Sequence, residues 1–256
     1  MAGWNPREYL RFGDERTRPA LDLAFRIAVE SPTAVVDLGC GPGNSTAVLA
    51  GRWPQARVLG LDSSAEMIAA ARAAYPHVEW QILGIAQWSP EVPFDVVFSN
   101  AALQWLPDHG PLIERLFGFV APGGALAFQI PSATYAEVRS LIHEIARQEP
   151  WAERMRGPLG VLTMEPPGFY YDCLVPQARS VDLWETEYVH LMESPSSIVE
   201  WIASTGLRPF LDALATDGER DEFVARLRER VAHAYPAQRD GRLLFPFRRT
   251  FVIAYA

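Results

Sequence analysis

The 256-residue chain predicts an α/β protein with a doubly wound, mostly parallel seven-stranded sheet and a helical lid made by two insertions. Three observations carry this reading. Short apolar runs alternate with helical segments from residue 34 to residue 130. The first run ends in the glycine-rich turn Asp37-Leu38-Gly39-Cys40-Gly41-Pro42-Gly43. The alternation then breaks twice, over 132–180 and over 194–244, leaving a strand-like stretch at 181–193 and a last strand at 245–256. Residues 1–131 are therefore expected to hold an N-terminal segment and a ligand-binding core, with residues 1–20 folding over the ligand.

Taken in order, residues 34–39 form a buried strand closed by Asp37 and Gly39, and 45–53 a helix. A second strand over 56–61 ends at Asp62, where Ser63 or Ser64 caps a helix over 65–75. Strands follow at 78–83 and 94–99, a helix at 111–119, a turn at 121–124 and a strand at 125–130. Residues 132–150 are helical, and 150–176 are rich in Pro and Gly and irregular. Residues 181–192 alternate as a strand does. Residues 195–240 are helical with Phe223, Leu227 and Val231 on one stripe, and a strand over 247–255 closes the order.

Composition excludes several functions. Hydrophobic residues make up 49% and charged residues 21% of the chain, the profile of an ordinary globular domain. No apolar run approaches the ~20 residues of a membrane span, and the N-terminus lacks a signal-peptide layout. With only Cys40 and Cys173, no disulfide framework is expected, and the protein reads as cytoplasmic. All 23 basic residues are arginine, which removes Schiff-base chemistry and the lysine of a phosphate-binding loop. A net charge of −8 argues against nucleic acid as partner. His143-Glu144 lacks a second histidine at zinc spacing, so no metal is expected, and no Gly-x-Ser-x-Gly elbow occurs.

The glycine turn separates two ligand classes. A dinucleotide fingerprint has the spacing G-x-G-x-x-G and seats a pyrophosphate on a helix N-terminus. Here the spacing is G-x-G-x-G, with Asp37 two residues before the first glycine. A carboxylate there repels pyrophosphate and attracts an ammonium group. S-adenosylmethionine (SAM) carries an ammonium and a sulfonium but no phosphate. Asp62, 25 residues on, stands where an acid accepts ribose hydroxyls.

These motifs, together with Asp62-Ser63-Ser64 and Asn100-Ala101-Ala102-Leu103-Gln104-Trp105-Leu106-Pro107-Asp108-His109, resemble the class I SAM-dependent methyltransferases. The segments Trp4-Asn5-Pro6, Glu15-Arg16-Thr17-Arg18-Pro19-Ala20, Arg52-Trp53-Pro54 and Thr205-Gly206-Leu207-Arg208-Pro209 narrow the resemblance to the trans-aconitate methyltransferase family, almost end to end. The resemblance implies a Rossmann-like fold, SAM as cofactor and S-adenosyl-L-homocysteine as product. It also implies cofactor contacts at Asp37, Gly39, Cys40, Gly41, Asn44, Asp62, Ser63, Met67, Ile85, Asn100, Ala101 and Trp105. Such enzymes place an acid near the adenine amino group after the third strand, where this chain has Gly84. The adenine is then expected against the backbone near Ile85 and apolar packing.

The implied reaction esterifies one carboxylate of trans-aconitate. A carboxylate with a pKa of about 4 is already a nucleophile at neutral pH, so no general base and no catalytic residue in that sense is expected. The small polycarboxylate partner needs local cations, for which arginine suits through bidentate pairing. Arg18 and Arg208 are favoured over Arg16, with hydrogen bonds from Tyr9, Tyr171 and His190, and Tyr170 as a further donor. Monomer or homodimer remain open. The alternatives are another carboxylic acid, a carrier-bound carboxylate, a quinone-precursor carbon acid, a non-catalytic SAM-binding protein, or a dinucleotide oxidoreductase.

Overall fold

The computed structural model describes residues 13–133, 137–203 and 205–256, with the side chains of 13–15 outside that description. The elements run α1 (Gly13–Arg26), β1 (Ala34–Leu38), α2 (Asn44–Arg52), β2 (Arg57–Asp62), α3 (Ala65–Ala74), β3 (Glu79–Ile82) and β4 (Phe94–Asn100). A 3-10 turn (Leu103–Trp105), α4 (His109–Phe117), β5 (Val120–Pro131), α5 (Glu137–Ala146), α6 (Arg156–Leu159), α7 (Pro167–Leu174) and β6 (Ser180–Met192) follow. The chain ends with α8 (Pro195–Ala203), α9 (Arg208–Asp212), α10 (Asp217–Ala234) and β7 (Leu243–Tyr255).

The seven strands form one sheet in the order β3-β2-β1-β4-β5-β7-β6. β1, β2, β3, β4 and β5 pair in parallel, and β7 is antiparallel to β5. β1 and β4 are neighbours although the chain leaves β1 toward β2. Their carboxyl ends therefore flank the switch point at which an open α/β sheet binds ligands. The strands at the centre are buried on both faces, which is why they read as continuous apolar runs rather than alternating ones.

By its contacts the chain divides into two compact units. Among the described residues the helical unit contains Ala133–Leu162 and Glu187–Arg248; the sheet unit takes 13–132, Thr163–Thr186 and Arg249–Ala256. In the sheet unit, α1 buries Ala20, Leu23 and Ala24, the one-face spacing of an amphipathic helix, and Ile27 just past its end continues the stripe. Arg26 also pairs with Asp182 at 2.6 Å and lies 4.1 Å over the Trp184 ring. An exposed ion pair contributes about 0–1 kcal/mol, against roughly 1.5–3 kcal/mol for each fully buried Leu or Ile, so the apolar stripe docks this helix. In the helical unit, Phe223, Leu227 and Val231 of α10 are fully buried, as their spacing predicts, and Trp151 packs 5.2 Å from Phe223. Thr216 and Glu219 cap α10 reciprocally.

Three details differ from the sequence reading. The stretch 150–176, read as irregular, holds the short helices α6 and α7, α7 opening on the Pro-Gly pair whose composition reads as a turn. Residues 13–26, left without an assigned element, are α1; Pro19 inside it masks the helical pattern. β5 starts at Val120 rather than 125, because the expected turn is a bulge inside the strand: Val120 faces Phe94, and Ala125 faces Val96. No helix among the described residues is long and apolar enough to cross a membrane.

Candidate cofactor site at the sheet switch point

The glycine turn is held by β2. Gly39 and Cys40 both donate backbone N–H groups to the Leu61 carbonyl, at 2.8 and 3.0 Å, and Gly41 donates to Asp62 Oδ2 at 3.0 Å. Gly39, Gly41 and Gly43 all have positive φ (71°, 56° and 97°), yet they serve different ends. A Cβ on Gly39 would run into Ala102, and one on Gly43 would lie 2.8 Å from Trp80 and 2.9 Å from Tyr75. A Cβ on Gly41 would meet nothing within 4 Å. Two glycines thus admit neighbouring parts of the protein, and of the three Gly41 alone faces space that no described residue fills. Cys40 is buried, and burial next to Asp37 pushes its thiol pKa well up. It stays protonated and packs.

Asp37 lies under this turn and is fully buried. Its Oδ2 accepts from the hydroxyls of Ser45 (2.7 Å) and Thr46 (2.6 Å) in the first turn of α2, whose N-terminal dipole also favours an anion. Its Oδ1 is buried with no partner among the described residues. Burial outweighs the two hydroxyls and raises the carboxyl pKa to about 6. At pH 7 it remains mostly ionised.

Asp62 closes β2 with two backbone donors, Gly41 on Oδ2 and Ser64 on Oδ1 at 2.8 Å; burial is the larger influence and raises its pKa. Ser64, not the exposed Ser63, caps α3 by accepting from the Met67 N–H at 3.2 Å. Met67 is buried behind it. Beyond β3, the Gln87 side-chain oxygen occupies the space that a Cβ on Gly84 would need. The amide of Gln87 therefore stands where an acid at residue 84 would begin. Ile85 is buried, and Arg115 ties down its carbonyl at 2.9 Å.

After β4 the chain turns through Ala101, whose φ of 54° is in the left-handed region. That costs an L-residue about 1–2 kcal/mol. The turn is held by Ala101 N–H to the Gln129 carbonyl at 3.0 Å and by Gln104 Nε2 to the Ala101 carbonyl at 2.7 Å, each contributing about 0.5–1.5 kcal/mol. The Ala101 carbonyl only accepts, so Gln104 must present its nitrogen there, and its buried Oε1 is left without a donor. Trp105 is half-buried on the 3-10 turn. His109 anchors that turn. Its Nε2 bonds the Leu103 carbonyl at 2.9 Å, so it carries the proton there, and its Nδ1 accepts from the Tyr170 hydroxyl at 2.6 Å. Tyr170, named among the acceptor-side donors, is instead buried and committed to His109.

Among the described residues, three buried acceptor oxygens therefore lack donors on the elements meeting at the switch point: Asp37 Oδ1, Asn44 Oδ1 and Gln104 Oε1. A cationic, donor-bearing ligand fits them. A pyrophosphate would add only acceptors and negative charge. The residues present thus fit SAM. α1 reaches the same place, with Asn44 Nδ2 at 3.3 Å from the Thr17 hydroxyl. Among the described residues no cluster of His, Cys, Asp and Glu is arranged to hold a metal.

The expected acceptor-side residues are less gathered. Tyr9 lies outside the described residues. Arg18, exposed on α1, and the half-exposed Tyr171 belong to the sheet unit. His190 and Arg208 belong to the helical unit. There, His190 is buried 4.6 Å from the Trp201 ring, and Arg208 lies 3.8 Å from Asp212. Sequence reasoning passed over two buried polar residues, Gln129 and Arg249, although each is conspicuous in an apolar strand.

Two predictions follow from the turn. Gly41→Ala folds, at a cost of about 1–2 kcal/mol, but loses SAM affinity in calorimetry; Gly39→Ala loses thermal stability. Undiminished SAM binding by Gly41→Ala would place the ligand elsewhere. The second concerns pH. Because the Asp37 pKa is raised, protonation stabilises the ligand-free fold as pH falls from about 6 toward 4, whereas a bound cation requires the ionised form. SAM affinity should fall about tenfold per pH unit below about 6. Asp37→Asn should bind weakly at all pH values and without that slope.

A family description, "Methyltransferase domain", matches residues 35–124. The chain is 47% identical over 256 residues to the trans-aconitate 2-methyltransferase of Azoarcus sp. (strain BH72), covering 99% of each. It is 45% identical over 257 residues to that of Variovorax paradoxus (strain S110), covering 99% of this chain and 98% of the relative. Among solved structures, the YcgJ protein from Bacillus subtilis shares the fold with a TM-score of 0.60 at 14% identity, covering 93% of this chain and 98% of that one. Coclaurine N-methyltransferase bound to N-methylheliamine and SAH does so with a TM-score of 0.57 at 16% identity, covering 94% and 72%. With the fold, the glycine turn and full-length relatives in agreement, the chain belongs to the trans-aconitate 2-methyltransferase family of SAM-dependent methyltransferases.

Proposed function

We propose that this enzyme transfers the methyl group of SAM to a carboxylate oxygen of trans-aconitate, giving the monomethyl ester and S-adenosyl-L-homocysteine. The observation that carries the reading is the near-complete coverage of relatives bearing that name, at 47% identity for the Azoarcus enzyme. When bound, SAM supplies an electrophilic methyl: an oxygen lone pair forms the O–C bond, the C–S pair stays on sulfur, and no proton moves.

The chain's own residues suit a reaction without a base. Cys40 is held protonated, and both ring nitrogens of His109 are engaged in a buried pair. Burial lowers the His109 pKa, which keeps the ring neutral. None of these groups is required, because the acceptor carboxylate is ionised already. The protein's part is to fix the partners in line and to exclude water, and such positioning contributes about 7–11 kcal/mol. Asp37 fixes the cationic cofactor; Arg18 on α1 and Tyr171 on α7 are the sheet unit's acceptor-side groups in this reading. Both described cysteines are free, which accords with activity in the cytoplasm.

The test is mass spectrometry after incubation with SAM and trans-aconitate, cis-aconitate, citrate or isocitrate. The expected result is a mono-methylated trans-aconitate well above the other products. Calorimetric SAM binding with no methylated acid would reject this acceptor class while leaving the cofactor in place.

A further inference from the structure

One row of polar side chains crosses the sheet beside the cofactor turn. Asp37 faces Phe98 in register, so Asn100, two residues on, lies on the same sheet face. Asn100 faces Gln129, and Gln129 faces Phe251, which puts Arg249 on that face as well. Arg249 Nη1 donates to Gln129 Oε1 at 3.1 Å, and Gln129 Nε2 donates to Asn100 Oδ1 at 2.6 Å. Gln129 is fully buried and Arg249 nearly so.

The chemistry of the row fixes its direction. A guanidinium has no acceptor, so Gln129 must show Arg249 its oxygen. Its nitrogen then faces Asn100, which must answer with its own oxygen. The Asn100 NH2 group is thereby forced outward, and among the described residues no acceptor meets it. The positive charge at the far end polarises both links in the same sense. An asparagine free to turn can serve an amine or an oxyanion equally. This one is locked as a donor, at the carboxyl end of β4 and on the same sheet face as the Asp37 carboxylate.

We propose that Asn100, oriented by Gln129 and Arg249, donates its side-chain N–H to the carboxylate of the methyl acceptor and makes the site select an oxyanion over an amine. This rests on the acid-methylation reading above and assigns the Asn100 side chain to the acceptor rather than to the cofactor. Asp37 and Arg249 then put opposite polarity at the two ends of one row: negative under the cationic donor, positive behind the anionic acceptor.

Gln129→Glu tests the relay. A glutamate accepts from Arg249 and also from the Asn100 NH2, so the asparagine amide must turn and aim its oxygen at the acceptor. The new charge pairs with Arg249, which favours retention of the fold. Asn100→Asp is the second variant; it keeps an acceptor for Gln129 and removes the outward donor. Acceptor affinity is read by calorimetry with trans-aconitate in the presence of S-adenosyl-L-homocysteine, beside kcat, KM and SAM affinity. Loss of a hydrogen bond to a charged group predicts an acceptor Kd raised about tenfold to a hundredfold in both variants, with SAM affinity within about twofold. Unchanged acceptor affinity in variants of a wild-type enzyme that methylates trans-aconitate would overturn the assignment. A selective loss of SAM affinity would overturn it too, by giving the donor to the cofactor's carboxylate. A wild type that neither binds nor methylates the acid would remove the functional reading first, and this proposal with it.

Discussion

A buried carboxylate with half of its hydrogen bonding missing sets the terms for this protein. Burying an ion costs several kcal/mol unless it is paired, and among the described residues Asp37 is met only by two hydroxyls and the dipole of α2. The fold tolerates it because the carboxylate also pins the first turn of α2 to β1, beneath the glycine turn. In the proposed reading the unmet half serves the cofactor. It leaves a negative potential at the glycine turn, where among the described residues Gly41 alone of the three glycines opens outward, and that suits a cationic cofactor. A neutral residue at 37 would ease folding and remove that selection.

The remainder of the site follows from the same charge. A methyl transfer between a sulfonium and a carboxylate neutralises both partners, so a site gains by presenting opposite polarity to each before reaction. The negative end lies at β1. The positive end reaches β4 through two amides whose orientation is dictated by an arginine on β7. With the acceptor at Asn100 as proposed, that arginine sits behind Gln129 and polarises the row without a tight ion pair that would quench the nucleophile. The strained Ala101 and the His109–Tyr170 pair hold the segment after β4 in place, so the row ends at a fixed point.

Much of this was legible in the chain. The apolar runs, the stripe of Phe223, Leu227 and Val231, and the acid before the glycines are local patterns, and local patterns survive folding. α1 was missed because Pro19 interrupts it, although Ala20, Leu23, Ala24 and Ile27 keep helical spacing. The start of β5 was missed because a bulge containing Pro and Gly has the composition of a turn. The relay was illegible for a different reason. Gln129 and Arg249 are 120 residues apart, and an antiparallel register brings them together. The available signal was a glutamine and an arginine in strands otherwise buried on both faces, where polar residues need partners. It shows that each has a partner without showing which.

The most direct test of the account is calorimetric titration of the wild-type protein with SAM and, separately, with NAD at neutral pH. A cationic ligand should satisfy the carboxylate under the glycine turn, and a pyrophosphate should be repelled by it. The account predicts saturable one-site binding of SAM and none of NAD. Binding of NAD in place of SAM would contradict it.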